Sequence, residues 1–129
     1  MSDKFIVEII TPDNSILKAE VDEVNIPSYE GQMGILKDHI SIISFLKPGI
    51  IKIFSKSGEE NFYVEDGIVE FKNNNLSVLT SSIFDIKDMK KDKVSELLAQ
   101  AEENSKNNEI SDQNKYLMDQ KIDVLKTLN

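Results

Sequence analysis

The stretch EGQMGILKDH, residues 30–39, interrupts the regular strand pattern of the first half of the chain and carries two of its five glycines and its single histidine. The two glycines, Gly31 and Gly34, mark backbone that adopts positive φ or allows another segment to approach closely. We expect Gln32 and Met33 at the tip of a projecting turn. From the residues alone, the stretch is either a long connection between two strands or a docking loop held by a rigid scaffold.

The composition limits the classes of protein to which the chain can belong. Its 129 residues suffice for one modest domain, or for a small domain with an appendage, and 40% of them are hydrophobic, enough for a folded core. The formal net charge of −8 argues against binding to nucleic acid. All 15 basic residues are lysines, so no guanidinium group is present to bind a carboxylate or phosphate in bidentate fashion.

The distribution of residues also bears on the cellular setting. Cysteine is absent, which excludes disulfides, thiolate catalysis and metal sites built on cysteine. No run of about 18 apolar residues indicates a transmembrane helix. The first residues show no basic segment followed by an apolar one, so we expect no secretory signal and a cytosolic or cytosol-facing protein.

The chain divides near residue 84. All five glycines and all three prolines precede that point, where the apolar period is two; after it the period is close to 3.6. Strands are predicted at 5–10, 16–21, 24–26, 40–45, 50–54, 61–65, 68–71 and 76–79. The strand at 40–45 is expected to be buried through Ile40, Ile42, Ile43 and Phe45, and Pro48-Gly49 fits the centre of a type II turn.

The last third of the chain has the pattern of two helices. Asp88 is the predicted N-cap of the first, and its apolar stripe comprises Val94, Leu97, Leu98 and Ala101. Polar residues 104–108 end it, and Ser111 or Asp112 caps the second helix, whose apolar face comprises Met118, Ile122 and Leu125. We therefore predict an α+β fold: an N-terminal antiparallel β-sandwich (1–84) followed by a two-helix antiparallel hairpin (85–129) that packs weakly on it.

The chain lacks the residue patterns of an active site. His39 has no second histidine or cysteine with which to hold a metal, so no metal site is predicted. Phosphate-binding loops, nucleophile elbows and zinc-protease motifs are absent. Glu59 and Glu60 are adjacent on a predicted strand, so their side chains point to opposite faces and cannot share a proton. These observations favour a binding or mechanical component over an enzyme.

Several blocks together resemble one protein family. Residues 30–36 with His39, Leu46-Lys47-Pro48-Gly49, residues 62–70 and residues 76–79 are similar in order and spacing to the epsilon subunit of F-type ATP synthases, called delta in mitochondria. The resemblance covers nearly the whole chain. It implies a non-catalytic subunit of the central stalk, peripheral to the membrane, that couples proton-driven rotation of the c-ring to ATP synthesis through the gamma subunit.

The resemblance also assigns roles to individual residues. The ring-contacting turn of the family maps onto Glu30, Gly31 and Gln32, and its gamma-facing histidine maps onto His39. The family's helical tail permits turnover when it is folded on the sandwich. When it extends along gamma, toward the alpha and beta subunits, it can block ATP hydrolysis. The implied location is the cytoplasmic face of a bacterial plasma membrane.

Two departures from the family pattern fall in the tail. Lys90 and Lys93 replace the aspartate and arginine of the ATP-binding motif, so bound nucleotide is not expected and no cofactor is predicted. In the second helix the lysines that would meet an acidic segment of the beta subunit are offset by aspartates, which predicts weakened inhibition. The alternative is a free-standing β-sandwich enzyme or ligand-binding module, which would need a deep polar pocket with perturbed titratable groups.

Overall fold

The computed structural model describes residues 4–106 and 111–128, which form ten strands, a short 3-10 helix and two α-helices. The elements in chain order are β1 Phe5–Ile10, β2 Ser15–Val21, β3 Glu23–Ser28, β4 Gly31–Leu36, β5 Ile42–Leu46, β6 Gly49–Ser55, β7 Gly58–Val64, β8 Gly67–Lys72, β9 Asn75–Leu79, β10 Ile83–Asp85, the 3-10 helix Ile86–Asp88, α1 Lys91–Ser105 and α2 Asp112–Leu128. No helix in the described part of the chain has the length and apolar composition that crossing a membrane requires.

The strands form one continuous sheet that bends into two layers. Their order is β10-β7-β6-β3-β5-β8-β9-β1-β2, with β4 paired to β3 off this path. β3 and β5 share a single pair of residues, Ser28 and Leu46, so the ladder is nearly broken there and the sheet can bend. One layer contains β10, β7, β6, β3 and β4, and the other contains β5, β8, β9, β1 and β2. This confirms the predicted sandwich and the α+β fold; the pairing is antiparallel except between β1 and β9.

The core lies between the two layers, where alternate residues of each strand meet. Phe5, Val7 and Ile9 of β1 are 0–2% exposed, as their spacing of two predicts. Phe5 packs edge-to-face on Phe71 of β8, with 5.6 Å between the ring centroids. The other layer contributes Val24, Ile26, Ile35, Ile51 and Ile53, all buried. The sandwich therefore has a single continuous core.

The prediction that Gln32 and Met33 lie at the tip of a projecting turn, within a long connection at residues 30–39, was wrong. Gly31–Leu36 is strand β4, and the turn before it contains only Tyr29 and Glu30, because Ser28 pairs directly with Gly31. Gly31 has a φ of 117°, which lets so short a turn close. Gly34 lies in the strand, where an added Cβ would be 3.0 Å from Asn25 Oδ1. The missing side chain lets Asn25 approach closely, which is one of the two roles expected for the glycines of this stretch.

The strand predicted at 40–45 is present as β5, but of the four residues expected to be buried in it only Ile42 packs against the core. Strand β5 buries Ser44 and Leu46, whereas Ile43 and Phe45 are 67% and 58% exposed. Ile40 precedes the strand and is 76% exposed. Only one face of β5 meets the core, since the other face is the outside of the sandwich. The apolar residues on that outer face are therefore uncovered.

The Pro48-Gly49 segment does not form the predicted type II turn. Gly49 begins β6 and does not adopt positive φ, which the second central position of such a turn requires. β5 and β6 are not neighbours in the sheet; β3 lies between them. Gly49 is required for a different reason: a Cβ there would lie 2.5 Å from Pro27 Cβ.

The helices occupy the predicted part of the chain but begin differently. Asp88 does not cap α1; it belongs to the 3-10 helix, whose cap is Asp85, and α1 begins after Lys90 with no side-chain cap. The amide of Asn114 donates to Ser111 Oγ at 3.2 Å, which confirms Ser111 as one of the two candidate caps of α2. In the predicted polar connection, 104–105 belong to α1, and 107–108 lie outside the described residues.

The two helices pack on each other and on the end of the sandwich. Val94, Ala101 and Leu125 are buried, and Val94 and Leu125 share a cluster with Tyr63 of β7. Strand β10, which the sequence pattern did not predict, pairs with β7 and leads into the 3-10 helix. The boundary expected at residue 84 falls inside this strand.

Candidate functional site

The β3–β4 turn is a small projection held by several hydrogen bonds. The buried Ser28 hydroxyl donates to the Gly31 carbonyl at 2.9 Å and accepts from the Glu30 amide at 3.1 Å. The Tyr29 amide donates to the Phe45 carbonyl at 3.2 Å, which fastens the turn to the other layer. These bonds fix the backbone of the turn and leave its side chains facing solvent.

Of the three predicted ring-contact residues, Glu30 lies in this turn, and Gly31 and Gln32 follow it as the first two residues of β4. Glu30 and Gln32 are exposed and Gly31 is half-buried between them. Glu30 accepts a long hydrogen bond of 3.4 Å from Ser44 Oγ. A flat partner could therefore reach Glu30 and Gln32 without disturbing the core.

His39 lies at the opposite end of β4, roughly 20 Å from the turn by strand geometry. Its ring is half-buried and packs edge-to-face on Phe71, with 5.8 Å between centroids. Its Nδ1 is 2.8 Å from the Ile40 carbonyl, which fits a protonated Nδ1 that donates. The ring-contact and gamma-contact residues inferred from the sequence therefore lie at two separate places on the sandwich.

The outside of the sandwich carries a row of exposed apolar side chains that the sequence analysis did not predict. The row lies in the layer that contains β5, β8, β9, β1 and β2. Phe45 of β5 pairs with Ile68 of β8, Ile68 pairs with Leu79 of β9, and Leu79 pairs with Ile10 of β1. Phe45, Ile68 and Leu79 are 58%, 45% and 50% exposed. We call this row, with Ile43, the apolar face. The alternation of β8 was a signal that could have revealed part of it, because Ile68 shares its face with Glu70 and Lys72 while Val69 and Phe71 are buried.

A groove of about 870 Å³ runs along the apolar face. It is lined by Phe45, Ile68, Leu79 and Ile10, and by Tyr29 of the turn at one end. Contiguous exposed apolar surface of this kind marks a binding site for another protein or a ligand. The lining of the groove is mostly apolar, so its chemistry suits apolar contact with a partner.

A second contact region joins α2 to the end of β7. The Tyr63 ring is buried, and its hydroxyl donates to Glu65 Oε2 at 3.0 Å. Lys121 Nζ of α2 lies 3.2 Å from the same oxygen. Burial raises the pKa of the Tyr63 phenol, and the charge of Glu65 raises it further, so the hydroxyl remains a donor.

The two lysines at the predicted nucleotide position do not converge on a pocket. Lys90 is exposed at the N-cap of α1. The Lys93 ammonium lies 5.6 Å from the centroid of Phe84, a cation–π distance. Phe84 in turn stacks on Tyr63, with 6.3 Å between centroids. Lys93 thus contributes to the contact between hairpin and sandwich.

The described residues contain no group of three histidine, cysteine or acidic side chains that could hold a metal ion. Glu59 and Glu60 are both exposed on β7 and far from the apolar groove in the sheet order. The surface thus presents a rigid turn, an apolar face and a docked helix pair. These features indicate a subunit that docks on a partner.

Comparison with known proteins places this docking subunit in a family. The sequence model of the family described as ATP synthase, delta/epsilon chain, β-sandwich domain matches residues 4–86. The ATP synthase epsilon chain of Pelagibacter ubique is 78% identical over 130 residues, covering 100% of both chains. The chain belongs to the ATP synthase delta/epsilon family. This confirms the predicted epsilon subunit, its membership of the membrane-associated ATP synthase complex, and its non-catalytic nature.

Solved structures with the same fold come from ATP synthases as well. A chain of the Euglena gracilis mitochondrial ATP synthase superposes with a TM-score of 0.78 at 19% identity, covering 99% of this chain and 81% of that one. A chain from the central stalk and c-ring of the Tetrahymena thermophila enzyme gives a TM-score of 0.70 at 18% identity, covering 95% and 93%. At these identities the likeness establishes the fold.

Proposed function

We propose that this epsilon subunit sits in the central stalk, between the gamma subunit and the c-ring, and passes the rotation of the ring to gamma. The observation that carries the proposal is the uncovered apolar face of Phe45, Ile68 and Leu79, which a partner in the complex must bury. The proposed partner is gamma, a permanent neighbour in the same assembly. Burial of these side chains would supply most of the binding free energy.

The surroundings of His39 support the same partner. Ile40, directly after His39, is 76% exposed, and Ile43 continues the exposed apolar surface toward Phe45. The resemblance assigns His39 to gamma, and the apolar face begins within a few residues of it. One interface can therefore include both His39 and the apolar face.

The β3–β4 turn is the proposed contact with the c-ring. Glu30 is exposed in the turn and Gln32 is exposed at the start of β4, and the Ser28 hydroxyl hydrogen-bonds both the Glu30 amide and the Gly31 carbonyl. Torque transfer requires a stiff joint, because a joint that bends would absorb the rotation. The location that follows is the cytoplasmic face of a bacterial plasma membrane, with the membrane contacted only through the complex.

The helical tail is proposed to inhibit ATP hydrolysis weakly when it leaves the sandwich and approaches the alpha and beta subunits. The lysines of α2, Lys115, Lys121 and Lys126, alternate with Asp112, Asp119 and Asp123, so the helix presents little net positive charge. Bound ATP is not part of the proposal, since Lys93 faces Phe84 and Lys90 is exposed.

The alternative, a free-standing enzyme or ligand-binding module, finds no support in the groove along the apolar face. Such a protein would need a deep polar pocket, whereas the groove at Phe45 and Ile68 is apolar and open to solvent.

The ring contact is tested by a bulky substitution at Gln32, close to the turn. Gln32→Trp in the membrane-bound ATP synthase should lower proton-driven ATP synthesis while leaving ATP hydrolysis by the detached catalytic head unchanged. The matched control is Lys56→Trp, in the β6–β7 turn at the other end of the same layer. Equal synthesis rates for Gln32→Trp and the wild-type subunit would count against a ring contact at this turn.

The tail is tested by truncation after Lys90, which keeps β10 and the 3-10 helix intact. The full and shortened chains are each added to a catalytic head with gamma, and ATP hydrolysis is followed. We expect both to bind gamma and only the full chain to slow hydrolysis, by a small factor. Equal slowing by both would rule out the tail as the inhibitory element.

A further inference from the structure

The apolar cluster between the helix pair and the sandwich has three fully buried side chains, so single interactions can decide whether the contact holds. Its fully buried members are Tyr63 of β7, Val94 of α1 and Leu125 of α2. Phe84 of β10 packs against this cluster from the sandwich side and is itself only half-buried. The hairpin is thus attached by one modest apolar cluster instead of sharing the core of the sandwich.

One carboxylate oxygen links the two parts across this cluster. Glu65 Oε2 accepts from the Tyr63 hydroxyl at 3.0 Å and lies 3.2 Å from Lys121 Nζ. The side chains of Lys121 and Glu65 are 22% and 23% exposed, so water screens the pair only in part. The Tyr63 bond joins two residues of the sandwich and does not depend on α2. Glu65 is therefore held in place to receive Lys121.

We propose that Glu65 and Lys121 form the latch that holds the helical tail in its folded position, with Tyr63 orienting the carboxylate. This inference rests on the proposed movement of the tail. When the pair breaks, α2 is released from β7, and water solvates the separated ammonium and carboxylate groups. The latch biases the equilibrium between folded and extended tails without locking it, because both groups are reached by water.

Other charged groups near the contact have different roles. Lys93 of α1 lies over the Phe84 ring, where its contact is with an aromatic face. Lys126, near the end of α2, is exposed and has the same charge and helical setting as Lys121. It therefore provides a matched control for the loss of one lysine from this helix.

The latch is tested by amide hydrogen exchange on the isolated full chain. Lys121→Gln and Glu65→Gln should each speed exchange in residues 112–128 by about two- to fivefold, the range expected for one partly screened ion pair. Gln at 65 can still accept from Tyr63, so the Glu65 variant removes only the charge. Exchange in the β-strands should not change.

The combination of variants decides between a latch and general loosening. The double variant Glu65→Gln/Lys121→Gln should exchange no faster than either single variant. The reversed pair Glu65→Lys/Lys121→Glu should restore slow exchange, at least in part, and Lys126→Gln should match the wild type. Additive effects in the double variant, or an equal effect of Lys126→Gln, would overturn the proposal.

Hydrolysis measurements separate the latch from the proposed role of the tail. In a catalytic head with gamma, Lys121→Gln should increase inhibition of ATP hydrolysis, because more tails are released. Faster exchange with unchanged hydrolysis would support the latch and refute the inhibitory tail. Unchanged exchange in residues 112–128 would refute the latch, whatever the hydrolysis rate.

Discussion

Asp38 and Asn74 hydrogen-bond to each other twice, across 36 positions of the chain. The Asp38 amide donates to Asn74 Oδ1 at 2.7 Å, and Asn74 Nδ2 donates to Asp38 Oδ1 at 3.1 Å. Both residues have positive φ, of 66° and 58°. The pair joins the loop that carries His39 to the β8–β9 turn, so each of the two residues stabilises the positive φ of the other.

Replacement of Asn74 should show what this pair contributes. Asn74→Ala removes both hydrogen bonds and puts a residue that disfavours positive φ in their place, so we expect a loss of about 2 kcal/mol in the free energy of unfolding. Asn74→Gly removes the same bonds but tolerates the backbone, and should cost about 1 kcal/mol less. Urea unfolding measures both, and equal losses would show that backbone strain is not involved.

Gly49 and Gly34 offer a comparison of two glycines that do not have positive φ. A Cβ at Gly49 would meet Pro27 Cβ at 2.5 Å, and the buried proline ring cannot move aside. Gly49→Ala should therefore cost about 1–3 kcal/mol, the usual range for overpacking. At Gly34 the neighbour is the Asn25 side chain, which can rotate, so Gly34→Ala should change stability by less than about 0.5 kcal/mol.

The measurement is the urea midpoint of each glycine variant, compared at a constant slope of the unfolding free energy against urea concentration. A loss at Gly34 as large as that at Gly49 would contradict this assignment of roles.

Tyr63 should make stability depend on pH under alkaline conditions. Its burial, with the nearby charge of Glu65, raises the pKa of the phenol above its ordinary value of 10.0. An acid whose pKa is higher in the folded state contributes its full stability below the unfolded pKa, and the contribution decreases as the pH rises toward the folded pKa. We therefore expect the free energy of unfolding to fall more steeply in the wild type than in Tyr63→Phe above a pH of about 10.

The two proteins have the same lysines, so the difference between them isolates Tyr63. Below a pH of about 9 the difference should be constant, at about 1 kcal/mol for the lost hydrogen bond. Parallel curves across the whole range would show that the phenol does not resist ionisation in the folded state.

The sequence predicted the fold because burial leaves a local pattern. Phe5, Val7 and Ile9 alternate as a strand with one buried face must, and Val94 and Ala101 repeat as a helix stripe. The turn that forms at Tyr29-Glu30 was predicted too far along the chain, at Gln32 and Met33. From the sequence, either Gly31 or Gly34 could have closed it. Only the pairing of Ser28 with Gly31 decides which one does.

Relations between distant residues left no such pattern. Phe45 reads as a core residue because it is apolar in an apolar strand, and the sequence does not say that its face of the sheet is on the outside. The contact of Lys121 with Glu65 depends on where α2 lies against β7, which no local spacing specifies. The ring-contact residues assigned by resemblance do lie together, in the β3–β4 turn and at the start of β4, but their partner stays a proposal.

The central claim is that the apolar face binds gamma, and the most direct test is the affinity of purified gamma for the full chain. Phe45→Ser/Ile68→Ser should weaken binding at least about tenfold, because two exposed apolar side chains would no longer be buried in the complex. The control is Leu36→Ser, 55% exposed on the other layer, which should bind like the wild type. Undiminished binding by the double variant, with its fold intact, would contradict the claim.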